Sequence, residues 1–247
     1  MAGLDTLPTV RRYAALGEGF YSRVSPTPRG EPYKVSVNPA VARLLGLDPA
    51  TLSDEAVAGA FSGQRLPAWA EPMATVYAGH QFGVYVPRLG DGRALLLGEV
   101  AGPEGVFEVQ LKGAGPTPYS RMGDGYAVLR STIREYLASE VMAGLGIPTT
   151  RALCIVGSDA PVYRETVETG ATLTRLAPTH VRFGTFEYFA HTRQDAFLKQ
   201  LADHVVAHHY PGFLGLHGAE PYAALFGAVV ERTARLIARW QAVGFCH

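Results

Sequence analysis

The sequence predicts an α+β fold in which strands dominate the first two thirds of the chain and long helices follow. β-like runs cover residues 84–86, 94–100, 106–112 and 150–176. Helical spacing of apolar residues covers residues 127–145, 194–208 and 221–243. Because strands and helices do not alternate regularly, the order argues against a parallel sheet built from βαβ units.

Composition and charge exclude several classes of protein. The 247 residues include 22 Lys and Arg against 22 Asp and Glu, so the formal charge is zero. The basic excess that is typical of nucleic-acid-binding proteins is therefore missing. Hydrophobic residues make up 47% and charged residues 18%, a composition too apolar for a disordered chain.

The sequence contains no segment that predicts export or membrane insertion. Residues 1–13 lack the apolar run of a secretory signal, and no stretch approaches the roughly 18 apolar residues of a membrane helix. Two cysteines, Cys154 and Cys246, are too few for a disulfide scaffold. We therefore expect a cytoplasmic protein that binds neither nucleic acid nor a membrane.

The amino-terminal forty residues are rich in Pro and Gly and are predicted to be irregular. Two short helices are predicted next. Asn38 and Pro39 have the pattern of a helix cap followed by a first-turn proline. Asp48 and Pro49 repeat this pattern before a second helix over residues 53–61.

A β-hairpin with a glycine-rich turn is predicted in the middle of the chain. The runs over residues 84–86 and 94–100 flank Gly90, Asp91 and Gly92, and an Asp-Gly pair between β-like runs is typical of a hairpin turn. Glycine allows backbone amides to approach a phosphate closely. The same residues are equally typical of an ordinary tight turn.

The next strand alternates apolar and polar side chains, with Phe107, Val109 and Leu111 set between Glu108, Gln110 and Lys112. This period of two predicts a half-buried strand that places Lys112 on its polar face, at the carboxyl end. A loop with four Gly and two Pro follows over residues 113–125.

A helix over residues 127–145 is predicted from apolar residues that recur every four positions: Leu129, Ile133, Leu137 and Val141. Glu135 lies near its middle, and Gly146 with Pro148 ends it.

A glycine-rich turn, a lysine on the next strand and a glutamate on the following helix are the components of a protein-kinase N-lobe. Arg175 and Arg182, seven residues apart, add candidate phosphate ligands, since a guanidinium binds phosphate through two hydrogen bonds. Taken singly, Lys112 and Glu135 also fit a solvated lysine and a surface glutamate, and the arginines fit ordinary surface positions.

Several longer segments resemble signatures of the SelO/YdiU family: residues 77–83, 87–93, 110–121, 131–137, 146–150, 162–166 and 180–184. They stand in the family's order, and the resemblance extends from about Leu16 to His247, essentially the whole chain.

The family consists of protein adenylyltransferases with a pseudokinase fold. The resemblance therefore implies a kinase-like N-lobe with family-specific insertions and a truncated C-lobe. It implies an enzyme that binds ATP in a flipped orientation, uses Mg²⁺, and transfers AMP to Ser, Thr or Tyr hydroxyls of protein substrates.

Carried over by motif, the resemblance implies a set of nucleotide-binding residues: Gly90, Gly92, Arg93, Lys112, Asp124, Gly125, Arg175 and Arg182. Glu135 would pair with Lys112. The implied parts are an amino-terminal extension over residues 1–75, a kinase-like N-lobe over residues 76–190, and an incomplete helical C-lobe over residues 191–247.

The chain departs from the family pattern in two places. Tyr126 stands where the family usually has Arg, which removes a positive charge beside the implied site. The family's motif at residues 245–247 continues into a segment with the catalytic Asp and the Asn and Asp that hold Mg²⁺. We therefore expect neither catalytic nor metal-binding residues in this chain and interpret it as a fragment, with a non-catalytic ATP-binding module or an inactive remnant as alternatives.

A zinc site is the remaining chemical candidate, because His204 and His208 have the i, i+4 spacing of two ligands on one helix face. No third ligand is evident, so solvated histidines are the favoured interpretation.

Overall fold

Most of the core is one antiparallel sheet of nine strands. The structure is a computed structural model that describes residues 3–246. The strands of the sheet are β1 (Thr9–Val10), β2 (Tyr21–Arg23), β3 (Pro32–Val37), β4 (Met73–Thr75), β7 (Ala94–Gly102), β8 (Gly105–Lys112), β9 (Ala127–Val128), β10 (Arg151–Tyr163) and β11 (Val167–Ala177). Two further strands, β5 (Gly79–Gln81) and β6 (Val84–Val86), form a separate ribbon.

The main sheet has the order β2-β4-β7-β8-β11-β10-β3, while β1 pairs with β7 and β9 pairs with β11. The helices are α1 (Pro39–Leu44), α2 (Asp54–Ser62), α3 (Leu129–Gly144), α4 (Phe183–His191), α5 (Asp195–His209) and α6 (Glu220–Ala242). Helix α3 packs on β10 and β11, and α4 packs on α5. The predicted α+β class, with a mostly antiparallel sheet, is confirmed.

The predicted helix starts are confirmed at the atomic level. The Asn38 side chain accepts hydrogen bonds from the amides of Ala40 and Val41 at 3.1 and 3.3 Å. Ser53 caps α2 by accepting from the Ala56 amide at 3.1 Å. These contacts satisfy amides that have no partner within the helix.

The predicted hairpin around Gly90, Asp91 and Gly92 is wrong. Strand β6 pairs with β5 and not with β7. The Gly90 amide instead donates to the Tyr77 carbonyl, and the Asp91 amide donates to the Thr75 carbonyl. These bonds hold the tripeptide beside the end of β4 and the residues that follow it. The tight hairpin joins β7 to β8, where Gly102 pairs with Gly105.

Helix α3 confirms the helix predicted over residues 127–145, but most of the apolar residues that predicted it do not lie on its buried face. Ile133, Leu137 and Val141 are 37%, 57% and 59% exposed, whereas Thr132 and Met142 are buried. The helix lies across a part of the sheet that carries charged side chains, so a polar residue of α3 has to face inward.

Several elements have no counterpart among the predictions, and β3 and α4 are the longest of them. Strand β3 lies in the segment predicted to be irregular, and it forms because β10 supplies a partner from Ser158 to Cys154. Helix α4 contains four aromatic residues in nine, a composition with weak helix propensity. Both elements depend on tertiary contacts.

Helix α6 confirms the long helix predicted near the carboxyl end. Leu225 is its buried residue, while Phe226, Val230 and Ile237 are 72%, 52% and 41% exposed. Within residues 3–246, none of the helices combines the length and apolarity needed to cross a membrane.

Helix α5 contacts the amino-terminal region through His204, which is 7% exposed and lies edge-on to the Tyr13 ring at 6.1 Å. Burial, together with neighbouring His208 and His209, lowers the pKa of His204 from 6.5 to about 4. The folded protein therefore holds His204 neutral under conditions in which the unfolded chain protonates it.

We predict that the free energy of unfolding decreases as the pH falls from about 6.5 to about 4. Between these values the unfolded state binds a proton that the folded state excludes, which corresponds to about 3 kcal/mol. Urea denaturation across this range should show that His204→Leu reduces this slope, while His208 and His209, whose pKa values burial also lowers, contribute the rest. His217→Leu, at an exposed position, is the control and should keep the slope. Equal slopes for wild type and His204→Leu would contradict the prediction.

Candidate functional site

The centre of the candidate site is a cluster of three charged side chains from β8, α3 and β11. Glu135 forms an ion pair with Lys112 through Oε2, and Arg175 Nη1 donates to Glu135 Oε1 at 3.0 Å. The side chains of Lys112, Glu135 and Arg175 are 20%, 31% and 16% exposed. One carboxylate thus holds two cations that come from neighbouring strands.

Burial and charge act in opposite directions on this cluster. Burial lowers the pKa of Lys112, and Arg175 adds to this effect, while Glu135 acts against it. Burial would raise the pKa of Glu135, but Lys112 and Arg175 outweigh it and the pKa is lowered. Glu135 is therefore ionised at neutral pH.

The polar face of β8 is buried, in contrast to the half-buried strand that the alternation predicts. Glu108 is 1% exposed and Gln110 is 0% exposed. Arg175 Nη2 donates to Gln110 Oε1, and the Gln110 amide donates to Asp91 Oδ2 at 3.5 Å. Glu108 accepts the backbone amide of His180 at 2.5 Å. The alternation in the sequence could not predict that this polar face is buried, because the elements that cover it are distant in sequence.

Asp91 fixes the segment that was predicted to be a hairpin turn. It is 2% exposed and accepts hydrogen bonds from the amide and hydroxyl of Thr75 at 3.1 and 2.6 Å. Arg182 Nη2 lies 3.9 Å from Asp91 Oδ1, and its guanidinium stacks on the Tyr77 ring at 4.8 Å. Burial, followed by the charge of Asp91, raises the pKa of Tyr77 to about 12.

Gly90 and Gly92 are required by packing against the loop over residues 113–125. Gly90 has φ +55°, and a Cβ there would lie 2.3 Å from Cγ of Tyr119. A Cβ on Gly92 would lie 2.9 Å from the Tyr119 carbonyl oxygen. The close approach at these glycines is therefore to the protein's own chain.

Asp124 is held by Arg164, whose two Nη atoms donate to its carboxylate at 2.8 and 3.1 Å. These hydrogen bonds are the largest cause of the lowered pKa of Asp124. At the neighbouring departure from the family pattern, Tyr126 donates its hydroxyl to the Thr27 carbonyl at 2.8 Å. The Arg29 guanidinium stacks on the Tyr126 ring at 4.2 Å, so Arg29 supplies a positive charge directly beside Tyr126.

The predicted site residues fall into two adjoining cavities. A cleft of about 1270 Å³ is lined by Arg93, Lys112, Glu135 and Arg175. A groove of about 540 Å³ is lined by Gly90, Gly92, Arg93, Asp124 and Gly125. Arg93 and Arg164 line both cavities, whereas Arg182 lines neither and reaches the site through Asp91.

Sequence reasoning missed three residues of this arrangement as site residues. All three, Asp91, Gln110 and Arg164, lie in family-like segments, over residues 87–93, 110–121 and 162–166, which was an available signal. Asp91 was interpreted as part of a turn, and Gln110 as part of the polar face of a half-buried strand. Their buried hydrogen bonds depend on the tertiary structure.

Across residues 3–246, histidine, cysteine and carboxylate side chains form no group of three or more that could hold a metal ion. His204 and His208 instead contact each other as rings at 4.9 Å, edge to face.

We predict that Glu135→Gln lowers the free energy of unfolding by about 2 kcal/mol, because Lys112 and Arg175 lose their shared counter-charge. Urea denaturation measures this change. The control is Glu231→Gln, which removes an exposed i, i+4 pair with Arg235 and should cost less than about 0.5 kcal/mol. A similar loss of unfolding free energy in the two variants would contradict the role of Glu135 as the shared counter-charge of Lys112 and Arg175.

In the comparison with known proteins, the matching family model and the matching relatives indicate the same family. The family model described as "Protein adenylyltransferase SelO" matches residues 4–247. Proteins named protein nucleotidyltransferase YdiU are 59% identical over 248 residues in Thioalkalivibrio sulfidiphilus and 58% identical over 248 residues in Myxococcus xanthus. The corresponding protein of Pseudomonas aeruginosa is 59% identical over 250 residues.

Each of these matches covers 100% of this chain and 50% or 51% of the relative, so the chain spans about half the length of the curated relatives it matches. Since the family model matches nearly every residue, the chain belongs to the protein adenylyltransferase SelO family.

Proposed function

We propose that this chain forms the nucleotide-binding part of a protein adenylyltransferase that transfers AMP from ATP to Ser, Thr or Tyr hydroxyls of proteins. The observation that carries the proposal is the Lys112–Glu135–Arg175 cluster on the wall of the 1270 Å³ cleft. Family membership supports nucleotidyl transfer in general.

The charges of the site suit a polyphosphate. The cleft is lined by three carboxylates, Glu135, Glu165 and Glu168, and by seven cations: Arg93, Lys112, Arg130, Arg134, Arg151, Arg164 and Arg175. Seven against three leaves a surplus of four positive charges. Arginine and lysine donors bind phosphate oxygens with charge-assisted hydrogen bonds, which are stronger than neutral ones.

The topology supports a kinase-like N-lobe as part of this proposal. Strands β7 and β8 form a hairpin, Lys112 ends β8, and the next helix carries Glu135. An ion pair between a strand lysine and a helix glutamate is the arrangement that positions ATP phosphates in protein kinases. The division into an extension over residues 1–75, a lobe over residues 76–190 and a helical part over residues 191–247 belongs to the same proposal.

The proposed reaction breaks the bond between the α-phosphorus and the bridging oxygen of ATP, and pyrophosphate leaves with the electron pair. A new bond forms between the acceptor hydroxyl oxygen and the α-phosphorus, and the hydroxyl proton passes to a base. Lys112, Arg93 and Arg175 would bind phosphate oxygens and orient the chain of phosphates. Positioning and charge compensation supply most of the catalysis in such transfers.

The resemblance implies that the base and the Mg²⁺ ligands belong to a family segment that these 247 residues do not include. A divalent cation would offset phosphate charge in this chemistry. The described residues do not form a cluster that fits such an ion, and no step of the proposal is assigned to it.

We predict that Lys112→Ala weakens ATP binding by about 10- to 100-fold, since one charge-assisted contact to phosphate contributes about 1.5–3 kcal/mol. Isothermal titration calorimetry of the purified chain measures the affinity. Lys199→Ala, which removes an exposed lysine paired with Asp203 on α5, is the matched control and should bind like wild type. Equal affinity of Lys112→Ala and wild type would show that the site is assigned wrongly.

We also predict that this chain, joined to the family segment that would supply the base and the metal ligands, transfers label from α-labelled ATP to a protein hydroxyl, on an acceptor protein or on itself, and does not transfer label from γ-labelled ATP. Transfer of the γ label would indicate a phosphotransferase. ATP binding without transfer of either label would reduce the proposal to a nucleotide-binding module.

A further inference from the structure

The Arg175 guanidinium is fixed by two different acceptors. Nη1 donates to Glu135 and Nη2 donates to Gln110 Oε1, while the buried Nε has no partner among the described residues. Glu135 also holds Lys112 and leaves the orientation of Arg175 incompletely determined. The hydrogen bond to Gln110 is the second contact that fixes the orientation of the planar guanidinium.

Gln110 occupies a buried position in the sheet. It is 0% exposed, and its neighbours in register are Leu96 on β7 and Arg175 on β11. Its side-chain amide donates to Asp91 while its carbonyl oxygen accepts from Arg175. Because a glutamine amide has one end that accepts and one that donates, these two contacts set its orientation.

Asp91 is in turn fixed by the amide and hydroxyl of Thr75 and is 2% exposed. Asp91, Gln110 and Arg175 therefore form a buried chain of hydrogen bonds that begins at the backbone and ends at a cation lining the cleft. A neutral residue at position 110 holds Arg175 without cancelling its positive charge.

We propose that Gln110 is a positioning residue: held by Asp91, it sets the orientation of the Arg175 guanidinium for binding a polyphosphate and does not itself touch the ligand. The ligand part of this inference rests on the proposed function, whereas the orientation of Arg175 can be measured without any ligand.

The ligand-free experiment follows the Arg175 Nη–H resonances by ¹⁵N NMR, because Nη2 donates to Gln110. Gln110→Met removes both hydrogen bonds at similar volume, and we expect hydrogen exchange at Arg175 Nη to become at least tenfold faster. Gln110→Asn keeps an amide but is one methylene shorter and cannot reach both Asp91 and Arg175, so its exchange should also become faster. Gln200→Met is the control, since Gln200 lies on α5, away from the cleft, and donates to the Leu16 carbonyl. Unchanged exchange in Gln110→Met would overturn the proposal.

The second experiment titrates inorganic tripolyphosphate into the same variants. We expect about tenfold weaker binding for Gln110→Met and unchanged binding for Gln200→Met. If Gln110 acts through Arg175, the double variant with Arg175→Met should bind no more weakly than Arg175→Met alone. Additive losses would overturn the proposal. If Gln110→Met does not fold, the exchange measurement on Gln110→Asn decides the same point, because unchanged exchange there would overturn the proposal.

The two experiments separate this inference from the proposed function. A wild-type chain that fails to bind tripolyphosphate and ATP would contradict the proposed function. Slow exchange at Arg175 in wild type that is lost in Gln110→Met would still support the positioning role.

Discussion

The ion pairing of Glu135 with both Lys112 and Arg175 is the interaction on which the arrangement of the site depends. It connects α3 to two neighbouring strands of the sheet, so the helix and the cleft are positioned by the same contacts. A half-buried carboxylate facing two cations is stabilised by both charges, and its removal leaves like charges facing each other. This constraint explains why α3 directs a charged residue towards the sheet and leaves Ile133 and Leu137 exposed.

Packing of the chain on itself explains the glycines of the site. Gly90 and Gly92 lie under Tyr119, and Gly125 approaches Gly115 so closely that a Cβ would lie 2.2 Å from its backbone. The groove is therefore bounded by segments that hold one another in place. Such a rigid boundary suits a site that binds by positioning, because little conformational freedom is lost when a ligand enters.

The sequence alone predicts the elements with strong local signals. Asn38 and Ser53 start helices where their capping patterns indicate, and the alternation over residues 106–112 marks a strand. The hairpin predicted at Gly90 was wrong, and the apolar repeat of α3 did not indicate which face of the helix is buried. Both patterns report local preferences, whereas the partner strands and charged neighbours that decide the structure are distant in sequence.

The sequence by itself determined the α+β class, the family and the candidate cations, because these follow from local patterns and long family-like segments. The tertiary structure decided which of those residues lie together. It divided them between a cleft and a groove joined at Arg93, and it buried Asp91 and Gln110 as the support of Arg175. The physical reason is that a buried polar side chain is stable only when distant segments supply its hydrogen-bond partners.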